Sequence, residues 1–111
     1  MADRARLQNR RGSDTMEFRT YARPGANSIS YTATVSRFPD GRLAEAFLRC
    51  GKAGTDVSIQ AQEAAIVLSF ALQYGAPAET IRSALPRTAD GDPEGALGML
   101  LDILAKEEKP C

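Results

Sequence analysis

The period of the hydrophobic residues changes once along this chain, near residues 51–56, and that change constrains the fold more than any other feature. Before it, the segment Ser28 to Phe38 alternates apolar and polar residues, which is typical of a strand with one buried face. After it, apolar residues recur at intervals of three and four, which is typical of helices. This order, with all strands before all helices, predicts an α+β fold.

Three strands are predicted ahead of the change. The first runs from Met16 to Arg23 and stops at a Pro-Gly cluster, the second is Ser28 to Phe38, and the third runs from Arg42 to Cys50. Between the last two, Pro39-Asp40-Gly41 combines a fixed φ, a turn-capping side chain and a residue that tolerates positive φ. We therefore expect a small antiparallel meander of about three strands.

A long central helix is predicted next, with Asp56 or Ser58 as its N-cap and Gly75 just beyond its end. It carries two opposite apolar stripes, and its polar surface is left mainly to Gln60, Gln62, Ser69 and Gln73. The first stripe comprises Ile59, Glu63, Ile66, Val67, Phe70 and Tyr74, and the second comprises Ala61, Ala65, Leu68 and Leu72. Each of the two stripes must be covered by another part of the protein. Either the chain self-associates, or the helix is buried within one chain between the sheet and the last helix.

Two shorter helices complete the predicted fold. One begins at Pro77 and is stopped by Pro86, with Ile81 and Leu85 facing inward. The other has Asp92-Pro93-Glu94 as its cap and first turn, and its inward stripe is Leu97, Leu100, Leu101 and Leu104. A chain of 111 residues has room for one core, so we expect a single domain over residues 16–106. A flexible basic arm over residues 1–15 and a frayed end over residues 107–111 are expected to flank it.

Composition excludes several classes of protein. The formal net charge is zero, so no basic bias indicates a nucleic-acid partner. The longest apolar stretch, Ala64 to Leu72, is far shorter than the roughly 20 residues that span a bilayer. The N-terminal residues contain no apolar segment of the kind found in secretory signals. These observations predict a protein that is not in a membrane and lies in the cytoplasm.

Residues that usually perform catalysis or bind metals are scarce. The chain has no histidine, and its two cysteines, Cys50 and Cys111, lack metal-ligand spacing and are expected to be free thiols. Glu63 is the one carboxylate on the first apolar stripe, where it would be either an acid of raised pKa or, as we favour, half of a buried or interfacial ion pair. We therefore expect no metal, no cofactor and no enzymatic activity.

The turn entering the long helix is the first candidate binding site. It reads Gly51-Lys52-Ala53-Gly54-Thr55-Asp56, where free backbone N–H groups, a lysine and a hydroxyl collect and glycines allow a phosphate to approach. It is not a Walker A loop, because the lysine does not follow the second glycine. The structural alternative is a tight turn in which the glycines only relieve backbone strain.

Arginines of the predicted sheet form the second candidate site. Arg37 and Arg42 flank the hairpin turn, and Arg49 lies at the far end of the third strand. The planar guanidinium group suits phosphate, because it presents several donors in a fixed geometry. The alternative for Arg37 and Arg42 is that they only keep the hairpin soluble.

Several of these segments together resemble the TSCPD domain. The resemblance lies in the run Asp40 to Leu48, the turn Gly51 to Thr55, the helical segment Leu68 to Leu72 and Gly75, and it covers about Tyr31 to Leu85. That domain is found at the C-terminus of vitamin B12-dependent ribonucleotide reductases and in small stand-alone bacterial and phage proteins. The Thr-Ser-Cys-Pro-Asp segment that names the family has no counterpart here, and neither does the barrel that performs the radical chemistry.

The sequence therefore predicts a non-catalytic, oligomeric module that captures a phosphate-bearing small molecule, most simply a nucleotide, and that could sequester a nucleotide signal. The residues expected to contact the ligand are Gly51, Lys52, Gly54, Thr55, Arg37, Arg42 and Arg49. The alternative is a protein-interaction or regulatory accessory domain linked to ribonucleotide reductase and nucleotide metabolism.

Overall fold

The computed structural model describes residues 13–20, 28–51 and 54–108, and within them it has the α+β architecture that the sequence predicts. Three strands are followed by three helices, of which the first helix is the longest. The elements are β1 (Asp14–Arg19), β2 (Ser30–Arg37), β3 (Leu43–Arg49), α1 (Asp56–Gln73), α2 (Ala78–Ala84) and α3 (Ala96–Glu108). Most of the predicted N-terminal arm, the segment 21–27, Lys52, Ala53 and residues 109–111 lie outside the described residues.

The three strands form one antiparallel sheet in the order β1-β2-β3. On one face Tyr31, Ala33 and Val35 of β2 are buried in the core, where Tyr31 stacks on Phe18 with ring centroids 5.5 Å apart. The other face is mostly polar, as the alternation predicts, and we call it the polar face. Its residues include Thr15, Glu17, Arg19, Ser30, Thr32, Thr34, Phe47 and Arg49.

Helix α1 lies along β3, which is an edge strand of the sheet. Two α1 side chains bind backbone groups of that edge: Ser69 Oγ accepts from the Ala46 N–H at 2.9 Å, and Gln73 Nε2 donates to the Ala44 carbonyl at 3.2 Å. Both side chains are buried, so the prediction that Ser69 and Gln73 lie on the wet surface is wrong. The physical reason is that a covered strand edge needs hydrogen-bond partners, which these two side chains provide.

The two apolar stripes of α1 have opposite environments. Ala61, Ala65, Leu68 and Leu72 belong to the core, where they are joined by Leu100, Leu101 and Leu104 of α3. The other stripe, which we call the outer face of α1, is exposed at every position and comprises Ile59, Glu63, Ile66, Val67, Phe70 and Tyr74. The alternative of a helix fully buried within one chain is therefore wrong. Glu63 is exposed, so the prediction that it forms a buried ion pair within the chain is wrong.

The ends of the helices differ from the predictions in detail. Thr55, rather than Asp56 or Ser58, is the N-cap of α1, because its side chain accepts from the Ser58 N–H at 3.3 Å. Gly75 ends the helix with a φ of 105°, as expected. Helix α3 begins at Ala96 and not at the predicted Asp92-Pro93-Glu94 cap, because Pro93 forms an antiparallel bridge with Arg87 in the preceding loop.

A carboxylate on α3 ties this loop to α2. Asp102 accepts from Arg82 Nε at 2.8 Å and from Arg87 Nη2 at 2.6 Å. The Arg87 hydrogen bond, followed by that of Arg82, lowers the pKa of Asp102 from 3.8 to about 2 although partial burial opposes the change. Within the described ranges, no helix is long and apolar enough to cross a bilayer.

Candidate functional site

A recess of about 430 Å³ opens at the end of the sheet where β1 and β3 finish and β2 begins. We call it the strand-end recess. Its size falls within the range of about 300–1,000 Å³ that is usual for small-molecule sites. Its lining residues are Glu17, Phe18, Arg19, Ser30, Tyr31, Thr32, Arg49, Cys50 and Gly51. Two residues from the predicted site set, Arg49 and Gly51, therefore meet here.

Arg49 is one of two exposed cations that line the strand-end recess. It lies opposite Thr32 on the polar face. Its guanidinium group makes no hydrogen bond or ion pair with any residue that the structure describes. An arginine in this state can offer all its N–H donors to a ligand. Arg49 is therefore the residue of the predicted set that is best placed to bind an anion.

Arg19 is a second cation of the recess, and the sequence reasoning missed it. Its Nε donates to Ser28 Oγ at 3.1 Å and its Nη1 donates to Ser30 Oγ, while Ser28 Oγ itself donates to the Thr20 carbonyl at 2.7 Å. These contacts hold the guanidinium group in place and leave further N–H donors for a ligand. Because β1 and β3 are separated by one strand and Arg19 and Arg49 are offset by two residues along the strands, their Cα atoms lie about 12 Å apart.

Two other side chains give the strand-end recess a mixed character. Glu17 shares a cross-strand row with Thr32 and Arg49, and its carboxylate is exposed. Tyr31 is mostly buried, and desolvation, with a smaller contribution from Cys50, raises the pKa of its hydroxyl, so the hydroxyl stays protonated at neutral pH. The recess thus combines two cations with one carboxylate and several hydroxyl groups.

The residues of the predicted phosphate-binding turn have different roles in the structure. Gly51 lines the recess with a φ of 44°, and Gly54 has a φ of 86°, so both positions require the left-handed backbone that glycine adopts easily. A Cβ at either position would meet no atom within 4 Å, so conformation rather than crowding selects glycine. Thr55 uses its hydroxyl to cap α1. Lys52 lies outside the described residues.

Arg37 and Arg42 lie at the opposite end of the sheet, beside the hairpin turn. Arg42 pairs with Asp40 at 2.7 Å and its guanidinium carbon is 4.9 Å from the centre of the Phe38 ring. Arg37 Nη1 donates to the Gly41 carbonyl at 2.9 Å. Measured along the strand direction, these residues are about 20 Å from Arg49. The structure therefore does not bring them to the strand-end recess.

A second recess of about 290 Å³ continues along the polar face and shares Thr32 and Arg49 with the first. Its wall includes Phe47, which is 43% exposed although its neighbours across the sheet are threonines. Phe47 and Arg49 are two residues apart on the same face, or about 7 Å. An aromatic ring and an arginine therefore lie side by side on this surface, next to the strand-end recess.

Comparison with known proteins identifies one family. The sequence profile of the TSCPD domain matches residues 5–107, which confirms the resemblance and extends it beyond both ends of the segment from Tyr31 to Leu85. No curated protein and no solved structure matches the chain significantly.

Proposed function

The chain belongs to the TSCPD domain family, and from this premise we propose that it is a non-catalytic, oligomeric binding module that captures a phosphate-bearing small molecule, most simply a nucleotide. We also propose that the protein is located in the cytoplasm. Binding rather than catalysis is proposed because the chain has no histidine to transfer protons near neutral pH.

One observation carries the proposal. Two arginines from different strands, Arg19 and Arg49, lie on the same face at the same end of the sheet and border one recess. Arginine is the side chain best suited to phosphate, because charge and several directed donors act together. Arg19 is already oriented by Ser28 and Ser30, so less conformational entropy is lost when it binds.

A nucleotide is favoured over inorganic phosphate for two reasons. First, the Glu17 carboxylate repels a bare phosphate, whereas it can accept hydrogen bonds from sugar hydroxyl groups. Second, the exposed Phe47 ring offers a surface on which a base can stack while the phosphate stays near Arg49. Phosphate, sugar and base would then follow one another along the polar face.

Isothermal titration calorimetry with three ligands of increasing size tests this order. The ligands are inorganic phosphate, ribose 5-phosphate and a nucleoside monophosphate, and we expect affinity to rise at each step. Arg49→Ala should lower the affinity for all ligands about tenfold or more, because it removes a charge-assisted hydrogen bond. Arg42→Ala is the matched control, because Arg42 is also an exposed arginine but lies beside the hairpin turn at the other end of the sheet.

Heat signals that are absent for every ligand, together with an unchanged melting temperature in their presence, would contradict ligand binding. Equal losses in the Arg49→Ala and Arg42→Ala variants would contradict the assignment to the strand-end recess. Native mass spectrometry of gently purified protein would show in parallel whether a small molecule remains bound.

A second candidate function is supported by the exposed outer face of α1. Ile66, Val67 and Phe70 on this face are all more than 40% exposed, which is typical of surfaces that contact another protein. A regulatory or docking domain of nucleotide metabolism would use this face and would show no affinity for small molecules. The Arg49→Ala variant distinguishes the two functions. It should lower ligand affinity in the first case and leave partner binding unchanged in the docking case.

A further inference from the structure

We propose that the outer face of α1 is an interface between two copies of this chain, related by a two-fold axis that passes between Ile66 and Val67 so that the two helices run antiparallel. The inference rests on the oligomeric part of the proposed function and is independent of any ligand. It specifies which surface self-associates and how the two α1 helices are oriented. The proposed function leaves both open.

The shape of the outer face suits a helix partner. At 3.6 residues per turn, its six residues fall within an arc of about 100° on the side of α1 opposite Ala61, Ala65 and Leu68. The face extends over four turns, from Ile59 to Tyr74. A continuous stripe of this width and length matches the contact surface of a second helix.

The apolar area is large enough for a specific dimer. The five apolar side chains of the outer face have exposed fractions between 43% and 68%, which correspond to roughly 500 Å² per chain. Two copies would bury roughly 1,000 Å² in total, which is near the lower limit of specific interfaces. A weak dimer, with a dissociation constant on the order of micromolar, is the expected result.

Charge selects both the partner and the direction. Helix α1 contains no basic residue, and Glu63 is the one charged residue of its outer face. A basic partner could therefore form an ion pair with this face at only one position, which favours a second copy of the chain. In a parallel pair the two Glu63 side chains would lie opposite each other and repel. In an antiparallel pair about the proposed axis, Glu63 lies opposite Phe70, Ile59 lies opposite Tyr74, and the helix dipoles oppose each other favourably.

Sedimentation velocity over the micromolar concentration range tests the surface. We expect the wild type to shift from monomer to dimer and Val67→Asp to remain monomeric, with affinity reduced at least about tenfold. Val67 is 68% exposed, so this variant should keep the wild-type melting temperature at dilution. Val57→Asp is the matched control, because Val57 is 40% exposed on the same helix but lies away from the outer face.

Disulfide trapping in a Cys111→Ser background tests the direction. An Ile59→Cys variant mixed with a Tyr74→Cys variant should give mixed dimers on oxidation, whereas Ile59→Cys alone should give none. In the antiparallel pair two copies of residue 59 are about 22 Å apart, well beyond the reach of a disulfide. Rapid self-linking of Ile59→Cys would overturn the antiparallel arrangement.

The remaining outcomes also decide the proposal. A wild type that stays monomeric throughout the concentration series overturns both the interface and the oligomeric part of the proposed function, and leaves the face to a different protein. A dimer that persists unchanged in Val67→Asp overturns the interface alone, because the protein then self-associates through another surface. Ligand titrations on the monomeric variant report separately on the strand-end recess.

Discussion

Replacing Asp102 by Asn should destabilise the protein in a way that depends on pH. Asp102 is the common acceptor for Arg82 and Arg87, which joins α3 to α2 and to the loop between them. The amide of Asn keeps the size of the side chain but loses its charge. Asp90→Asn is the matched control, because Asp90 is an exposed carboxylate of the same loop.

The magnitude follows from the pKa of Asp102, which is lowered from 3.8 to about 2 in the folded protein. At about 1.36 kcal/mol per pKa unit, this difference corresponds to about 2.4 kcal/mol in favour of the folded state. The three side chains are 18–30% exposed, so solvent screens part of the interaction. We expect the variant to lose about 1–2 kcal/mol of unfolding free energy at neutral pH.

The sign of the pH dependence is fixed by the direction of the pKa change. Because the pKa is lower in the folded state than in the unfolded state, the contribution is complete above about pH 5 and is lost as the pH falls towards 2. Urea denaturation of wild type and variant across this range should show two curves that converge in acid. A stability difference that is equally large at about pH 2 and about pH 7 would refute the reasoning.

Three further predictions concern the fold and the ligand. Ser69→Ala should lower the unfolding free energy by about 1–3 kcal/mol in urea denaturation, because the buried N–H of Ala46 loses its partner. Gly75→Ala should cost about 1–2 kcal/mol by the same assay, because φ is +105° there, whereas Gly95→Ala, at a position without positive φ, should not. Phe47→Ala should weaken binding of a nucleoside monophosphate about 5- to 100-fold in calorimetry and leave ribose 5-phosphate unaffected; an equal loss for both ligands would contradict base stacking.

The order and type of the elements could be predicted from the sequence, because each depends on local patterns. The alternation in β2, the Pro-Asp-Gly turn and the helical spacing of α1 all act within a few residues of the chain. The start of α3 could not be predicted in this way. The Pro93 pattern resembles a helix start, but its bridge with Arg87 depends on the path of the whole loop.

The orientation of α1 could not be predicted from its own residues. Both of its stripes are apolar, so hydrophobicity alone does not decide which one faces the sheet. The decision depends on β3, whose small residues Ala44 and Ala46 allow close approach and whose edge needs the hydrogen bonds of Ser69 and Gln73. That requirement becomes visible only when the strand order is known.

The candidate site was partly predictable for a similar reason. Arg49 and Gly51 are close in sequence, so proximity alone places them together. Arg19 joins them only through the pairing of β1 with β2, which decides at which end of the sheet it lies. The alternation of β1 does carry the missing signal, because it puts Arg19 and Glu17 on the polar face. Arg37 and Arg42 share the residue type of Arg49 but lie at the other end of β3, so residue type alone does not place them in one site.

The central claim is that Arg19 and Arg49 together hold a phosphate group at the end of the sheet. A crystal structure of the protein soaked with a nucleoside monophosphate tests it most directly. We expect the phosphate oxygens within about 3 Å of both guanidinium groups, with the base against Phe47. A phosphate bound instead beside Arg42 at the hairpin, with the strand-end recess containing solvent alone, would contradict the claim.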